Sequence, residues 1–373
     1  MNLAAALTAQ RITRGGLERP QVRLDEAAAR RALLRWFRRR ARRLPWRKSR
    51  SPYAVWVSEV MLQQTQVASV IPYFRRFVRA FPTVTSLAQA RLERVLELWS
   101  GLGYYRRACH LHRAAQILVR DFKGVFPRQL RQARSLPGIG AYTARAVLSI
   151  AYHLPYTVLE GNVARVVARL RAIRGSLHET RFSRRVEREL EGLLSRRQPG
   201  NFNQALMELG QTVCLPRAPR CPVCPLCTWC EAFRRGRPQS YPASRPRRAT
   251  ELHYLATAII RRGGQVAMVR GLDEGLLADL WNFPSAFGPA RAAALTRLQE
   301  KLATIVPGEA RIGGRLGGIR HRITYRAIRV DLYPVEIGTG FEANGVRWFS
   351  LSRLSRAAIS QLSRKIAAQI RED

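Results

Sequence analysis

Acidic residues are scarce in this chain, and lysine is scarcer still. Its 373 residues include 25 Asp and Glu against 65 Lys and Arg, for a formal net charge of +40 and a pI near 11.6. Only four of the basic residues are lysines, so arginine supplies almost all of the positive charge. This lack of acids favours a polyanionic partner, with nucleic acid ahead of an anionic membrane.

Long apolar runs are missing as well. No stretch reaches the ~18 residues that a membrane-spanning helix needs, and the first 23 residues hold no apolar segment of the kind found in secretory signals. We therefore expect neither a membrane span nor secretion. The Arg-rich start, residues 1–24, is predicted to be a basic, disordered arm.

Cysteine is rare outside one short segment. Cys109 stands alone, whereas the other five of the six cysteines lie within residues 214–230. This clustering is unlike a secreted disulfide framework and indicates a metal site in a reducing compartment. The spacing suits one zinc ion or one four-iron cluster, and spacing alone does not decide between them. Cys227 is interpreted as a spectator, and the four predicted ligands are Cys214, Cys221, Cys224 and Cys230.

The pattern of apolar residues divides the chain into two folded parts. Three- and four-residue spacing predicts a mainly α-helical domain over residues 25–232, with the cysteine loop at 214–230. A Pro-, Arg- and Ser-rich stretch predicts a linker over 233–250, and strand-like alternation then predicts an α+β domain over 251–373. The predicted helices are Arg31–Arg40, Val55–Ala80, Leu92–Trp99, Arg106–Phe122, Ala141–Tyr152, Asn162–Arg171, Phe182–Leu194 and Arg353–Ile370.

A glycine-rich turn precedes one of these helices. The stretch "LPGIGAYTARAV", Leu136–Val147, places Gly138 and Gly140 directly before the helix. Glycines let backbone amides point outward, and the helix N-terminus adds positive potential, so such a turn can bind a DNA phosphate without a charged side chain. Its position about twenty residues before Glu160 makes the signal more specific.

Glu160 is one of the few acids, and it stands where an apolar run in "LPYTVLEGNVARVVARL" meets an Arg-rich helix. A carboxylate at a helix start can cap the helix. It can also be a catalytic carboxylate that gives or takes a proton. The sequence alone allows both interpretations.

Several longer segments resemble the endonuclease III superfamily of DNA glycosylases, and within it the MutY adenine DNA glycosylases. The resemblance runs from about Leu33 to the C-terminus and is stronger before Cys230. It implies a helix-hairpin-helix glycosylase domain with a four-iron, four-sulfur cluster, followed by a Nudix-like domain. The segments are "LPWRKSRSPYAVWVSEVMLQQTQVASVIPYFRRF", "LWSGLGYYRRACHLHRAA", "FNQALMELGQTVC" and "GLLADLWNFPS".

The resemblance implies a monofunctional enzyme that flips out and removes adenine mispaired with 8-oxoguanine or guanine in duplex DNA. It further implies a monomer in the bacterial cytoplasm, associated with the nucleoid through DNA. Glu59 matches the proton donor, and Asn162 matches the residue that orients the second carboxylate. Tyr142 stands where bifunctional relatives carry a Schiff-base lysine, and it is expected to support the second carboxylate. Further matches are the wedge residues Gln64 and Tyr104 and the adenine-pocket residues Trp46, Arg47 and Gln204.

Two positions depart from the family pattern. Glu160 replaces the family's second catalytic Asp and is longer by one methylene, and a shift of ~1 Å can cost about a hundredfold in rate. In the recognition loop, Ile323, Thr324 and Tyr325 replace Phe-Ser-His. The alternative prediction is therefore a family member with altered base specificity, slow turnover or lesion binding alone. The C-terminal domain lacks a G-x5-E-x7-R-E-x-x-E-E pattern, so no pyrophosphohydrolase activity is expected.

Overall fold

A computed structural model of the chain describes residues 24–243, 249–273, 277–306, 309–323, 325–338 and 345–370. By their contacts these residues form two units. The first unit joins 24–41 with 153–243, and the second joins 42–152 with 249–370. Within the described residues, none of the helices is both long enough and apolar enough to cross a bilayer.

The described chain from residue 24 to residue 243 is mainly helical, in agreement with the helical fold predicted for residues 25–232. Its helices are α1 (Glu26–Arg40), α2 (Pro52–Leu62), α3 (Val67–Ala80), α4 (Val84–Ala88), α5 (Leu92–Trp99), α6 (Arg106–Phe122), α7 (Leu130–Ser135), α8 (Ala141–Ile150), α9 (Gly161–Leu170), α10 (Thr180–Leu193), α11 (Pro199–Thr212) and α12 (Glu231–Arg234). The predicted basic arm lies almost wholly outside the described residues.

Helix α1 begins at Glu26, before the predicted Arg31, and two other predicted helices are not single continuous α-helices. The helix predicted over Val55–Ala80 is two helices, α2 and α3, because Gln64 has a φ of 56° and a left-handed residue cannot continue an α-helix. Pro72 does not interrupt α3 but lies inside it. The helix predicted over Arg353–Ile370 begins as a 3-10 turn, Leu351–Arg356, before the final α-helix starts at Gln361.

In the first unit, α9 is the central helix. It packs against α10, α11 and α12, and α1 covers α10 and α11. Its buried face carries Val163, Val166, Val167 and Leu170, at the three- and four-residue spacing of an amphipathic helix. This packing fixes the position of the α9 N-terminus, where Glu160 lies.

In the helical part of the second unit, α2 is the most enclosed helix. It contacts α3, α6 and α8, and eight of its eleven residues are buried. Ser51 accepts a hydrogen bond from the backbone N–H of Ala54 at 3.5 Å, and Pro52 occupies the first helical position, where its missing N–H costs nothing.

The described residues between 249 and 370 form an eight-stranded mixed sheet with helices on both faces, which confirms the predicted α+β fold. Its elements are β1 (Glu251–Arg262), β2 (Gln265–Arg270), β3 (Trp281–Asn282), β4 (Ser285–Gly288), α13 (Arg291–Ile305), β5 (Ala310–Ile312), β6 (Gly317–Ile323), β7 (Arg326–Ile337), β8 (Val346–Ser350) and α14 (Gln361–Gln369). The strand order is β3-β2-β1-β7-β5. Off this path, β4 pairs with β1, β6 pairs with β7, and β8 pairs with β2.

Successive apolar side chains of β1 point to opposite faces of the sheet, so both faces need cover. Leu255 and Ile259 belong to an apolar layer that includes residues of α14. Ala256, Ala258 and Ile260 belong to a second layer that includes residues of α13. Successive strand residues point to opposite faces, so a continuously apolar strand needs cover on both.

Candidate active site

Glu59 is a carboxylate inside an apolar helix. Its side chain is 5% exposed, in the last turn but one of α2, between the buried Ser58 and Val60. The hydroxyl of Tyr142, in the first turn of α8, donates a 2.7 Å hydrogen bond to its Oε2. The sequence matches both residues to catalytic positions but pairs Tyr142 with the other carboxylate, so its contact with Glu59 is an addition from the structure.

The predicted hairpin before Tyr142 is present. Helix α7 ends at Ser135, the turn follows, and α8 begins after Gly140, which is its N-cap. Gly138 has a φ of 72°, and a Cβ there would lie 2.7 Å from Cβ of His110. The turn therefore requires glycine at this position for both conformation and space.

Glu160 caps the helix that it precedes. One carboxylate oxygen accepts a 3.0 Å hydrogen bond from the backbone N–H of Val163, and the other accepts a 3.0 Å bond from the Asn162 amide. Burial raises the pKa of Glu160, whereas these two donors and the nearby Arg165 guanidinium act to lower it. The structure thus confirms that Glu160 caps α9. Its carboxylate accepts hydrogen bonds at a helix N-terminus, where the helix dipole favours an anion.

A second set of contacts holds Asn162 itself. Arg165 donates to the Asn162 side-chain oxygen at 2.7 Å, and to the carbonyls of Gly210 and Cys214 at 2.9 Å each. A Cβ on Gly210 would lie 2.7 Å from Cβ of Asn162, so α11 approaches the start of α9 too closely for another residue. The sequence does not mark Arg165 or Gly210, because arginine is abundant and the glycine lies inside a helix.

Asn203 is a further residue that the sequence does not single out. It is fully buried in α11, donates to the carbonyl of Tyr156 at 2.8 Å and accepts from the backbone N–H of Val158 at 3.3 Å. These bonds fix the extended segment that leads into Glu160. A buried amide that satisfies two backbone groups is costly to replace.

The cysteine loop, residues 214–230, packs around a buried arginine. Arg169, 2% exposed, donates to Sγ of Cys214 at 3.4 Å and to the carbonyls of Leu215 and Pro216 at 2.6 and 2.7 Å. Its own carbonyl lies 3.5 Å from Sγ of Cys230. A guanidinium in this position supplies positive charge and donors beside sulfur atoms.

The thiols of the loop also act on one another. Burial raises the pKa of Cys221, Cys224 and Cys230, the last to about 12, and the other thiols of the loop raise them further. Metal coordination deprotonates such thiols, so the donor type of these side chains suits a cationic centre. Within the described part of the chain, no three or more His, Cys, Asp or Glu side chains are arranged to hold a single metal ion.

The two predicted wedge residues lie on one cavity of the second unit. Gln64 and Tyr104 are exposed, with φ of 56° and 50°. For a non-glycine residue such a conformation costs ~1–3 kcal/mol and tends to persist at functional sites. The cavity has a volume of about 770 Å³, and its other walls include His321 and Ile323 of β6 and Gln361 of α14.

The predicted recognition loop is described only in part. Ile323 lines the cavity, and the carbonyl of Tyr325 accepts a 3.1 Å hydrogen bond from the backbone N–H of Glu251. Thr324 lies outside the described residues.

The predicted adenine-pocket residues are distributed over both units. In the second unit, Trp46 is 7% exposed, with its ring centroid 5.4 Å from that of Phe74, so it packs in the core. Arg47 donates to the carbonyl of Arg42 at 3.2 Å. In the first unit, Gln204 is half-buried on α11.

Comparison with known proteins identifies the family. Residues 57–195 match the HhH-GPD superfamily of base excision DNA repair proteins, and residues 256–369 match the NUDIX domain. The chain is 34% identical to the adenine DNA glycosylase of Mus musculus in an alignment 399 positions long, which covers 92% of this chain and 78% of that protein. The chain belongs to the adenine DNA glycosylase family.

Two further comparisons agree with this placement. The adenine DNA glycosylase of Buchnera aphidicola is 35% identical over 274 residues, which cover 73% of this chain and 78% of that protein. A solved thermostable thymine-DNA glycosylase matches with a TM-score of 0.51 at 22% identity, over 56% of this chain and 97% of that one, and this likeness concerns the fold alone. Family membership makes the chain a DNA-acting hydrolase of N-glycosyl bonds, as the sequence predicts.

Proposed function

We propose that this adenine DNA glycosylase removes adenine mispaired with 8-oxoguanine or guanine by hydrolysis that uses two carboxylates. The observation that carries the proposal is the contrast between the two acids. Glu59 is buried in an apolar helix against a phenol, whereas Glu160 is held by N–H donors at a helix N-terminus. Family membership favours base excision over lesion binding alone.

The proposed reaction assigns one proton transfer to each carboxyl. Glu59 donates a proton to the adenine ring as the N-glycosidic bond breaks and its electron pair leaves with the base. Glu160, ionised, stabilises the positive charge that develops on the sugar and then accepts a proton from the water that adds to it. Asn162 orients Glu160, and Tyr142 orients Glu59 and cannot form a Schiff base, so the products are free adenine and an abasic site.

Opposite-base recognition is assigned to the cavity of the second unit. Gln64 and Tyr104 enter the duplex beside the mispair, and Ile323, Thr324 and Tyr325 stand at the positions that read 8-oxoguanine. The resemblance assigns Trp46, Arg47 and Gln204 to adenine binding, and we assign the amides around Gly138 and Gly140 to a DNA phosphate. The protein is proposed to act as a monomer on nucleoid DNA in a bacterial cytoplasm.

Cys214, Cys221, Cys224 and Cys230 are proposed to hold one four-iron, four-sulfur cluster. When bound, the cluster supplies a covalent cross-link of the loop through four thiolates. The iron and sulfide content of the purified protein tests this assignment, with Cys227→Ala as the matched control for Cys224→Ala. We expect iron to be lost from Cys224→Ala and retained in Cys227→Ala, and a colourless, zinc-containing wild type would overturn it.

The test of the function is single-turnover release of adenine from three duplexes, with adenine opposite 8-oxoguanine, guanine or thymine. We expect release opposite 8-oxoguanine and guanine and none opposite thymine. Release at equal rates from all three would refute recognition of the opposite base, and tight binding without release would leave only a lesion-binding role.

A further inference from the structure

Arg107 lies in the first turn of α6, next to both proposed wedge residues. Its guanidinium carbon is 5.2 Å from the ring centroid of Tyr104 and 5.4 Å from that of Trp99. The side chain is half-buried, and burial lowers its pKa to about 10, so the group remains charged at neutral pH. A charged arginine in such a place needs several acceptors.

On one side, Arg107 caps the end of α2. Its Nη1 donates to the carbonyls of Val60 at 2.9 Å and Met61 at 3.0 Å, and also to the carbonyl of Gln63. The last carbonyls of an α-helix have no partner within the helix, and a cation is favoured there. Arg107 therefore holds the segment from which Gln64 projects.

On the other side, Arg107 holds the segment that carries Tyr104. Its Nη2 donates to the carbonyl of Gly103 at 3.0 Å and to the hydroxyl of Thr65 at 3.3 Å. Thus one guanidinium contacts Gln63 and Thr65, the two neighbours of Gln64, and also the residue before Tyr104. Lysine could not reproduce this, because only the planar fork of arginine offers donors in several fixed directions.

The backbone conformation of Gln64 and Tyr104 explains why the contacts of Arg107 are needed. Gln64 and Tyr104 both have positive φ, although neither is glycine. Strained residues of this kind persist only where their surroundings over-determine them. The contacts of Arg107 fall on the residues that flank both.

We propose that Arg107 is a positioning residue that locks Gln64 and Tyr104 together as one rigid wedge, so that the duplex is opened before the base is excised. The proposal rests on the proposed function for the wedge roles of those two residues. It concerns the opening of the base pair and leaves the chemistry of bond cleavage unchanged.

The test compares two substrates in single turnover. One carries adenine opposite 8-oxoguanine, and the other carries adenine opposite an abasic-site analogue, where no base pair has to be opened. Arg107→Met should lower the rate on the paired substrate about tenfold or more, the scale of lost charge-assisted hydrogen bonds, and change the unpaired substrate less than about threefold. Arg107→Lys should fall between wild type and Arg107→Met.

Arg113→Met is the matched control, since Arg113 is exposed on the same helix and its loss removes the same charge. It should affect both substrates alike and weakly. Equal losses on both substrates for Arg107→Lys, or no loss, would overturn the proposal.

A 2-aminopurine beside the mispair reports unstacking independently of release. Its fluorescence should rise on binding of wild type and less with either Arg107 variant. If wild type raises the fluorescence but releases no adenine, the proposed function fails while the wedge inference stands. If Arg107→Lys raises it as much as wild type, the wedge inference fails.

Discussion

Glu59 and Glu160 are two acids in a strongly basic chain, and different groups donate hydrogen bonds to them. Glu59 lies inside an apolar helix and meets a phenol, whereas Glu160 meets a backbone N–H, a side-chain amide and a nearby guanidinium. Burial favours the protonated carboxyl and raises the pKa of Glu160, whereas the donors at the start of α9 act against this shift and favour the anion. In the proposed mechanism, this difference in hydrogen-bond partners separates the role of Glu59 from that of Glu160.

The largest expected effect comes from removal of the proposed proton donor. Glu59→Gln keeps the shape of the side chain and an acceptor for the Tyr142 hydroxyl but removes the acidic proton. Single-turnover adenine release should fall by about 10²–10⁴-fold, the usual contribution of general acid catalysis. Glu97→Gln, at the half-exposed end of α5, is the control and should release adenine at the wild-type rate. A rate for Glu59→Gln within threefold of wild type would remove Glu59 from the mechanism.

A smaller effect, together with a shift in pH dependence, is expected at Asn162. Asn162→Ala removes a donor that stabilises ionised Glu160, so the already raised pKa of Glu160 should rise further. If Glu160 acts as the anion, activity is lost as the pH falls through that pKa. The acidic limb of the pH–rate profile should therefore move to higher pH, with about a tenfold loss at neutral pH.

The control for this profile is Asn201→Ala in α11. The side-chain amide of Asn201 donates to the side chain of Gln198. The acidic limb of this variant should coincide with that of wild type. A limb that stays in place or moves to lower pH in Asn162→Ala would show that the amide does not stabilise the anion of Glu160.

The smallest effect should come from Tyr142→Phe. This change removes one hydrogen bond to Glu59 and leaves the ring in place, so we expect a loss of about tenfold or less in single turnover. The control is Tyr152→Phe, which removes a hydroxyl that donates to the carbonyl of Phe126. It should release adenine at the wild-type rate. A loss for Tyr142→Phe as large as that for Glu59→Gln would mean that the hydroxyl itself takes part in proton transfer.

The sequence predicted most of the fold because the spacing of its apolar residues agrees with the positions of the Pro and Gly residues between the elements. Helices α5 and α6 begin and end where the pattern places them. It missed α11 and α13, whose apolar residues are mixed with small and polar ones, so the periodicity is weak. The break at Gln64 was also missed, because a left-handed glutamine is held by Arg107 across the fold and has no local signal.

For the candidate site, the residues proposed to act in the reaction were easier to single out from the sequence than the residues that contact and hold them. Glu59, Tyr142, Glu160 and Asn162 stand in recognisable motifs. The contacts of Arg165, Asn203 and Arg107 join segments more than forty residues apart in sequence, and in a chain with 65 Lys and Arg a single arginine is not conspicuous.

The central claim is that Glu160, one methylene longer than aspartate, serves as the second catalytic carboxylate. The most direct measurement is single-turnover release of adenine opposite 8-oxoguanine by wild type, Glu160→Gln and Glu160→Asp. We predict that Glu160→Gln loses about a hundredfold or more, as expected for loss of the stabilising charge. Aspartate is a favoured N-cap and keeps the charge, so Glu160→Asp should remain within about tenfold of wild type. A Glu160→Gln variant as fast as wild type, or an inactive wild type beside an active Glu160→Asp, would contradict the account.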